Sequence, residues 1–320
     1  MNYNGYVNNE HSRFEDVQLN KMIKEKIGYL NDFKKQFGYN QELINLLALI
    51  NVAFKENNIE IDDLFYSTIR DTQIFTGKGD INDVIKLYNN NLNVNFDSNI
   101  LASFSTFTNV DLFENEFSLI KPKIFLVDDN KFQKNEKFNI LIHELRHALT
   151  SQKKSNYFLN EDTYYKRSGL EYCFIRKNID QIYNFNLYFE EAFNEYSSIV
   201  LLNTILNYKN SKIENNEIIK LLHSIKGNLK NGHYNSSNYE DEREIIEPFL
   251  NKKEIVETLN KISFTGETHL LDSIIPNFDE YSEDFDFVSD YHYNDAKTYD
   301  KEYHKKLLKL KSKSNEIARM

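Results

Sequence analysis

Ile140-Leu141-Ile142-His143-Glu144-Leu145-Arg146-His147-Ala148-Leu149 is the stretch that decides how this chain is read. Its apolar positions recur at helical spacing, and Asn135-Glu136-Lys137-Phe138 just upstream has the character of a helix start. On a helix, residues four apart lie on one face, one turn above the other. His143 and His147 can therefore point two imidazoles at one metal ion. Glu144 lies about 100° round from His143. That suits a general base acting on a solvent molecule at the metal better than it suits a third ligand. The bland alternative is a surface helix with two unrelated histidines. It fits poorly, because a buried helix must satisfy two His and a Glu, and a metal does so.

A catalytic zinc takes three protein ligands and keeps a fourth position open. Tyr188-Phe189-Glu190-Glu191-Ala192-Phe193-Asn194-Glu195-Tyr196 lies between apolar runs at 182–187 and 199–202 and reads as a second buried helix. Glu191 and Glu195 are four apart and share a face. One can ligate while the other accepts the free ring N–H of a ligand histidine. Glu190 lies on a neighbouring face and competes for the ligand role.

His143-Glu144-Leu145-Arg146-His147 followed by Glu191-Ala192-Phe193-Asn194-Glu195 resembles the gluzincin metallopeptidases. The resemblance covers roughly residues 100 to 205. In that group the third ligand is a Glu on a later helix, and an acid four residues on supports a zinc histidine. The resemblance thus implies Glu191 as ligand and Glu195 as the supporting acid, with Glu190 still open as an alternative ligand. It also implies a zincin-like catalytic domain with a small sheet. The interval from His147 to Glu191 is longer than in thermolysin and closer to the anthrax lethal factor type. In that type a tyrosine precedes the ligand Glu by an interval that Tyr183 matches with an offset of one. Tyr183 is therefore the first candidate for the donor to the oxyanion, with His233 and Tyr234 second.

The chain has 320 residues and a net charge of −10, which argues against nucleic acid or an anionic membrane as partner. No apolar run approaches the length of a membrane span. The first ten residues carry neither a basic region nor an apolar core, so no secretory signal is expected there. The expectation is a cytoplasmic enzyme, or an effector delivered without a signal peptide. A single cysteine, Cys173, allows no internal disulfide, and its apolar neighbours predict a core role.

Along the chain, helices are expected at 14–37, 41–54, 59–69 and 80–88, the last capped by Asp80, and a loop at 89–93. Strands are expected at 100–108, 117–120 and 123–127. The strand at 123–127 either pairs with an extended peptide along a cleft or is an ordinary sheet strand. Residues 151–168 are polar and expected at a cleft rim, 170–182 helical, and further helices at 214–225 and 240–262. Residues 279–300 are acidic and aromatic and 301–313 basic and helical, a block whose usual fate is a solvated or weakly ordered surface segment; its aromatics point instead to docking over its own domain.

The resulting expectation is an α+β, mostly helical chain. It has a helical N-terminal region (1–92), a zincin-like catalytic domain (93–275) and an acidic-aromatic then basic tail (276–320). Its expected function is zinc-dependent hydrolysis of a peptide or protein, with one Zn2+ per chain. The alternative is a non-catalytic metal-binding or regulatory protein that retains the same helix.

Overall fold

The computed structural model describes residues 49–50, 53–59, 68, 72–88, 102–105, 108–111, 116–119, 123–127, 133–151, 157–160, 163–176, 179–207, 216–227, 229, 232–293 and 301–320. The expected helix at 14–37, most of those at 41–54 and 59–69, and the loop at 89–93 lie outside these residues. The described part is α+β and mostly helical. In chain order its elements are β1 (Gln73–Gly77), α1 (Ile81–Tyr88), β2 (Ala102–Ser105), β3 (Thr108–Asp111), β4 (Glu116–Leu119), β5 (Lys123–Val127), α2 (Lys134–Thr150), β6 (Tyr157–Asn160), β7 (Thr163–Ser168), β8 (Glu171–Arg176), β9 (Ile179–Phe185), α3 (Leu187–Leu206), α4 (Asn216–Lys226), α5 (Glu240–Leu250), α6 (Lys253–Thr265), a short α7 (Leu271–Ile274), α8 (Phe278–Tyr293) and α9 (Lys301–Arg319). No helix among the described residues is long and apolar enough to cross a membrane.

The chain forms two compact units. The first comprises residues 1–107, 120–149 and 198–236, and the second 108–119, 150–197 and 237–320. The unbroken helix α3 contributes residues to both.

In the first unit, β5 pairs in parallel with β1 and antiparallel with β2. β5 is therefore central, with both edges occupied, and cannot take an extended peptide as an added strand. It is an ordinary sheet strand. Phe125 on β5 packs with Ile81, Val84 and Ile85 of α1, and Phe75 stacks on Phe125 at 5.4 Å. Asp80 caps α1 as its sequence predicts, accepting the Asp83 N–H at 2.9 Å, while Asp83 accepts the Asp80 N–H in return. Every residue of α2 from Leu141 to Thr150 is buried. The helical stretch at 53–56 leads to Asn57, whose side chain donates to Thr204 on α3 at 3.0 Å.

In the second unit, β3 and β4 form a hairpin, and β6 to β9 form an antiparallel meander in sequence order. The helix expected at 170–182 does not form; β8 and most of β9 occupy that range. Tyr172, Cys173, Phe174 and Ile175 are residues that favour a pleated, half-buried surface. Gly169, with φ +62°, makes the two-residue turn that folds β8 back on β7. The polar stretch at 151–168 supplies β6 and β7.

The acidic-aromatic segment is no solvated tail. Phe278, Tyr281, Phe285 and Val288 of α8 are buried with Phe189, Phe193, Ile246 and Phe249 in the main core of this unit. Leu310 and Ile317 of the basic helix α9 join them. The charges that made both segments look exposed pair with each other: Lys306 and Lys309 both bind the buried Asp284, Lys309 at 2.6 Å.

Candidate metal centre

The α2 backbone brings the two histidines together as their spacing requires. Nε2 of His143 and Nε2 of His147 are 3.1 Å apart, with ring centroids at 4.8 Å. Both residues are 6 % exposed and Glu144 is 8 % exposed, so all three polar groups sit almost out of water. Two ring nitrogens facing each other this closely call for a shared proton or a shared cation. A tetrahedral zinc with Zn–N bonds of about 2.0–2.1 Å holds its ligand nitrogens about 3.3 Å apart. The observed separation fits.

Glu191 completes the group. One ligand atom from each of His143, His147 and Glu191 lies within 4.8 Å of the others. Among the described residues this group has three members, and Glu191 alone of the three is only half-buried. Two imidazoles and one carboxylate form a borderline donor set that suits zinc better than magnesium or calcium, which take oxygen ligands.

Glu190 is committed elsewhere. Its carboxylate, 1 % exposed, accepts the Leu170 N–H at 2.7 Å. It also fills the space that a Cβ on Gly169 would occupy. Adjacent residues on a helix diverge by about 100°, so a Glu190 that holds the β7–β8 turn leaves Glu191 to face elsewhere.

The start of α3 is fastened to the rest of its unit by several polar contacts. The Asn186 side chain donates to the Leu170 carbonyl at 3.2 Å and accepts the Ser282 hydroxyl. Arg167, buried, donates to the carbonyls of Gly169 and Ser263, the latter at 2.9 Å. Burial lowers the Arg167 pKa, and the nearby Tyr165 and Glu190 oppose that shift. Asp286 on α8 accepts the Asn186 N–H at 3.2 Å and also binds the Tyr188 N–H, so a carboxyl group caps the positive end of α3. Asn186, Ser282, Arg167 and Asp286 were not singled out from the sequence. Asn186, an amide residue just before an apolar helix, carried the one local signal, that of a helix cap.

Burial pushes the Asp286 carboxyl up to about 6, against the pull of the two N–H donors and with a further push from Asp290. Its folded value exceeds the unfolded one, so the folded state holds the proton more tightly. The stability this provides is full below about pH 4 and is lost as pH rises through 6. Asp286→Asn removes the dependence. Between pH 4 and pH 7 the unfolding free energy of the variant should gain on that of the wild type by about 2 kcal/mol, measured by denaturant titration at both pH values. A difference that does not change with pH would contradict this assignment.

Tyr183 lies in β9, opposite Phe174 of β8 and ahead of α3; its side chain is outside what the structure describes. Glu195 is 1 % exposed, four residues beyond Glu191. His233 is exposed and Tyr234 buried. The Tyr234 backbone is clamped by Asn203, which accepts its N–H at 2.8 Å and donates to its carbonyl at 2.9 Å. Asn203 is twelve positions beyond Glu191, about 18 Å along the α3 axis. Cys173 is buried, and burial raises its thiol pKa, in keeping with a core residue and not a nucleophile.

Comparison with protein-family models, with curated proteins and with solved structures finds no match.

Proposed function

We propose that this chain is a zinc-dependent metallopeptidase of the gluzincin type, with a zincin-like catalytic domain. The observation that carries the proposal is the group of two buried imidazoles on one helix and a half-buried carboxylate on another. Three protein ligands leave a zinc ion one open position, as catalytic sites do; structural sites are normally closed by four. Glu144 is the second support, because a purely structural site has no use for a nearly buried carboxylate beside its first ligand.

His143, His147 and Glu191 would hold the ion, and Glu195 would orient a ligand histidine through its free ring N–H. Zinc supplies Lewis acidity in such a site, acidifying water and polarising a carbonyl. Glu144 accepts a proton from the water that attacks the peptide carbonyl and delivers it to the departing amine nitrogen. Low exposure around Glu144 strengthens its electrostatic interactions. Tyr183 is the candidate hydrogen-bond donor to the developing oxyanion. His233 and Tyr234 are the second candidates for this donor; Asn203 holds the Tyr234 backbone.

The test is cleavage of fluorescein-labelled casein by the full chain, before and after chelation. Activity that disappears with the chelator and returns with stoichiometric zinc supports the proposal. Cleavage that persists in the metal-free chain, or no cleavage of casein or a peptide library by a zinc-loaded chain, overturns it.

A further inference from the structure

One face of the β7–β8–β9 sheet carries rings. Tyr172 and Phe185, opposite each other on β8 and β9, stack with centroids 4.9 Å apart and planes at 11°. Phe174 meets both edge-on at 5.8 Å, and Tyr165, opposite Phe174 on β7, lies 5.6 Å from it. Cys173, between Tyr172 and Phe174, points to the opposite face and is buried. On the ring face Phe185 is 37 % exposed and Tyr165, Tyr172 and Phe174 are half-buried, while Arg167, opposite Tyr172 on β7, is buried. A contiguous aromatic surface left in water marks a site of interaction.

Helix α8 packs beside β9 and borders this face with acid. Asp279, Glu283, Asp286 and Asp290 recur at i, i+4, i+7 and i+11, a single stripe along the helix. Burial and then the charges of Asp279, Asp286 and Glu283 hold the Tyr172 phenol above its ordinary pKa, which shows that the stripe and the rings share one neighbourhood. Asp279, Glu283 and Asp290 are exposed. Arg167, the cation opposite Tyr172, is turned inward to the Gly169 and Ser263 carbonyls. Among the described residues no lysine or arginine forms a salt bridge with the stripe, whose Asp290 accepts the Tyr188 hydroxyl at 2.8 Å.

We infer that this aromatic face, with its acidic border, is a docking surface for a cationic polypeptide segment. A lysine or arginine lays its aliphatic stem on the rings, its charge over their π faces, and its head against the carboxylates. A neutral apolar partner would bury those carboxylates without a counter-charge, and an anionic one would be repelled. The surface stands on binding alone. That its occupant is a substrate rests on the peptidase reading.

Binding is measured by fluorescence anisotropy with a labelled Lys-Ala repeat peptide and a matched Glu-Ala peptide. The full-length, zinc-loaded Glu144→Gln chain is used so that turnover does not interfere. The Lys-Ala peptide should bind and the Glu-Ala peptide should not. Phe185→Ser and Glu283→Lys, both at exposed positions, should each weaken binding about tenfold. Glu316→Lys, exposed on α9, should change it less than about twofold, since distant exposed charges are screened. Thermal melts of each variant establish that it is folded.

Equal binding of the two peptides, no binding of either, an unaffected Phe185→Ser, or a Glu316→Lys as damaging as Glu283→Lys would each overturn the inference. The last outcome would assign the attraction to net charge alone. Binding as expected without cleavage by the wild type would sink the peptidase reading and leave the surface standing. Cleavage with no effect of the surface variants on binding would do the reverse.

Discussion

Glu144→Gln should leave zinc bound and lower peptide hydrolysis about 10²–10⁴-fold, the range that a positioned general base contributes. Glutamine has the shape of glutamate and can still hold a water molecule, but its amide takes no proton at neutral pH. Glu144 is nearly buried on a helix whose residues from 141 to 150 are all buried, so an isosteric replacement disturbs the packing little. The loss should appear in kcat and kcat/KM alike, with KM almost unchanged, because the interaction removed belongs to the transition state. Comparison at equal zinc content separates this effect from loss of the ion. Equal rates for the variant and the wild type would remove Glu144 from the mechanism.

The second large effect separates the two adjacent glutamates. Zinc that binds only the folded chain stabilises it by about 4 kcal/mol when its free concentration is a thousand times Kd, a shift of several degrees in Tm. His147→Ala and Glu191→Ala should lose most of that zinc-dependent increment while changing the zinc-free Tm much less. Glu190→Gln should do the opposite. It weakens the bond to the Leu170 N–H and the compensation of buried Arg167, so the zinc-free Tm falls while the zinc increment survives. Differential scanning fluorimetry with and without zinc reads both quantities. A Glu190→Gln variant that loses the zinc increment while Glu191→Ala keeps it would exchange the two roles.

The candidate site was legible because its signals are local. Spacing of four on an apolar helix puts His143 and His147 on one side whatever the rest of the chain does, and the structure places their Nε2 atoms 3.1 Å apart. The choice between Glu190 and Glu191 was not legible. It depends on the β7–β8 turn, twenty residues upstream of Glu190, and that turn lies within a range whose apolar content suggested a helix. Short apolar runs do not distinguish a buried helix from a strand by periodicity, and here the aromatic and β-branched residues with Gly169 decide for strands. The acidic-aromatic segment misled for a related reason. Its charges were visible, but the lysines that neutralise Asp284 come more than twenty residues later, and Phe278, Tyr281, Phe285 and Val288 of α8 meet their partners only in the folded unit. Likewise the Asn186–Asp286 pair spans 100 residues, and no local pattern announces it.

A crystal of the zinc-loaded chain, measured on both sides of the zinc absorption edge, tests the central claim most directly. One anomalous peak is expected, with Nε2 of His143, Nε2 of His147 and a Glu191 oxygen each about 2.0–2.2 Å from it and solvent in the fourth position. No peak between these three residues, or a fourth protein ligand closing the site, would contradict the account.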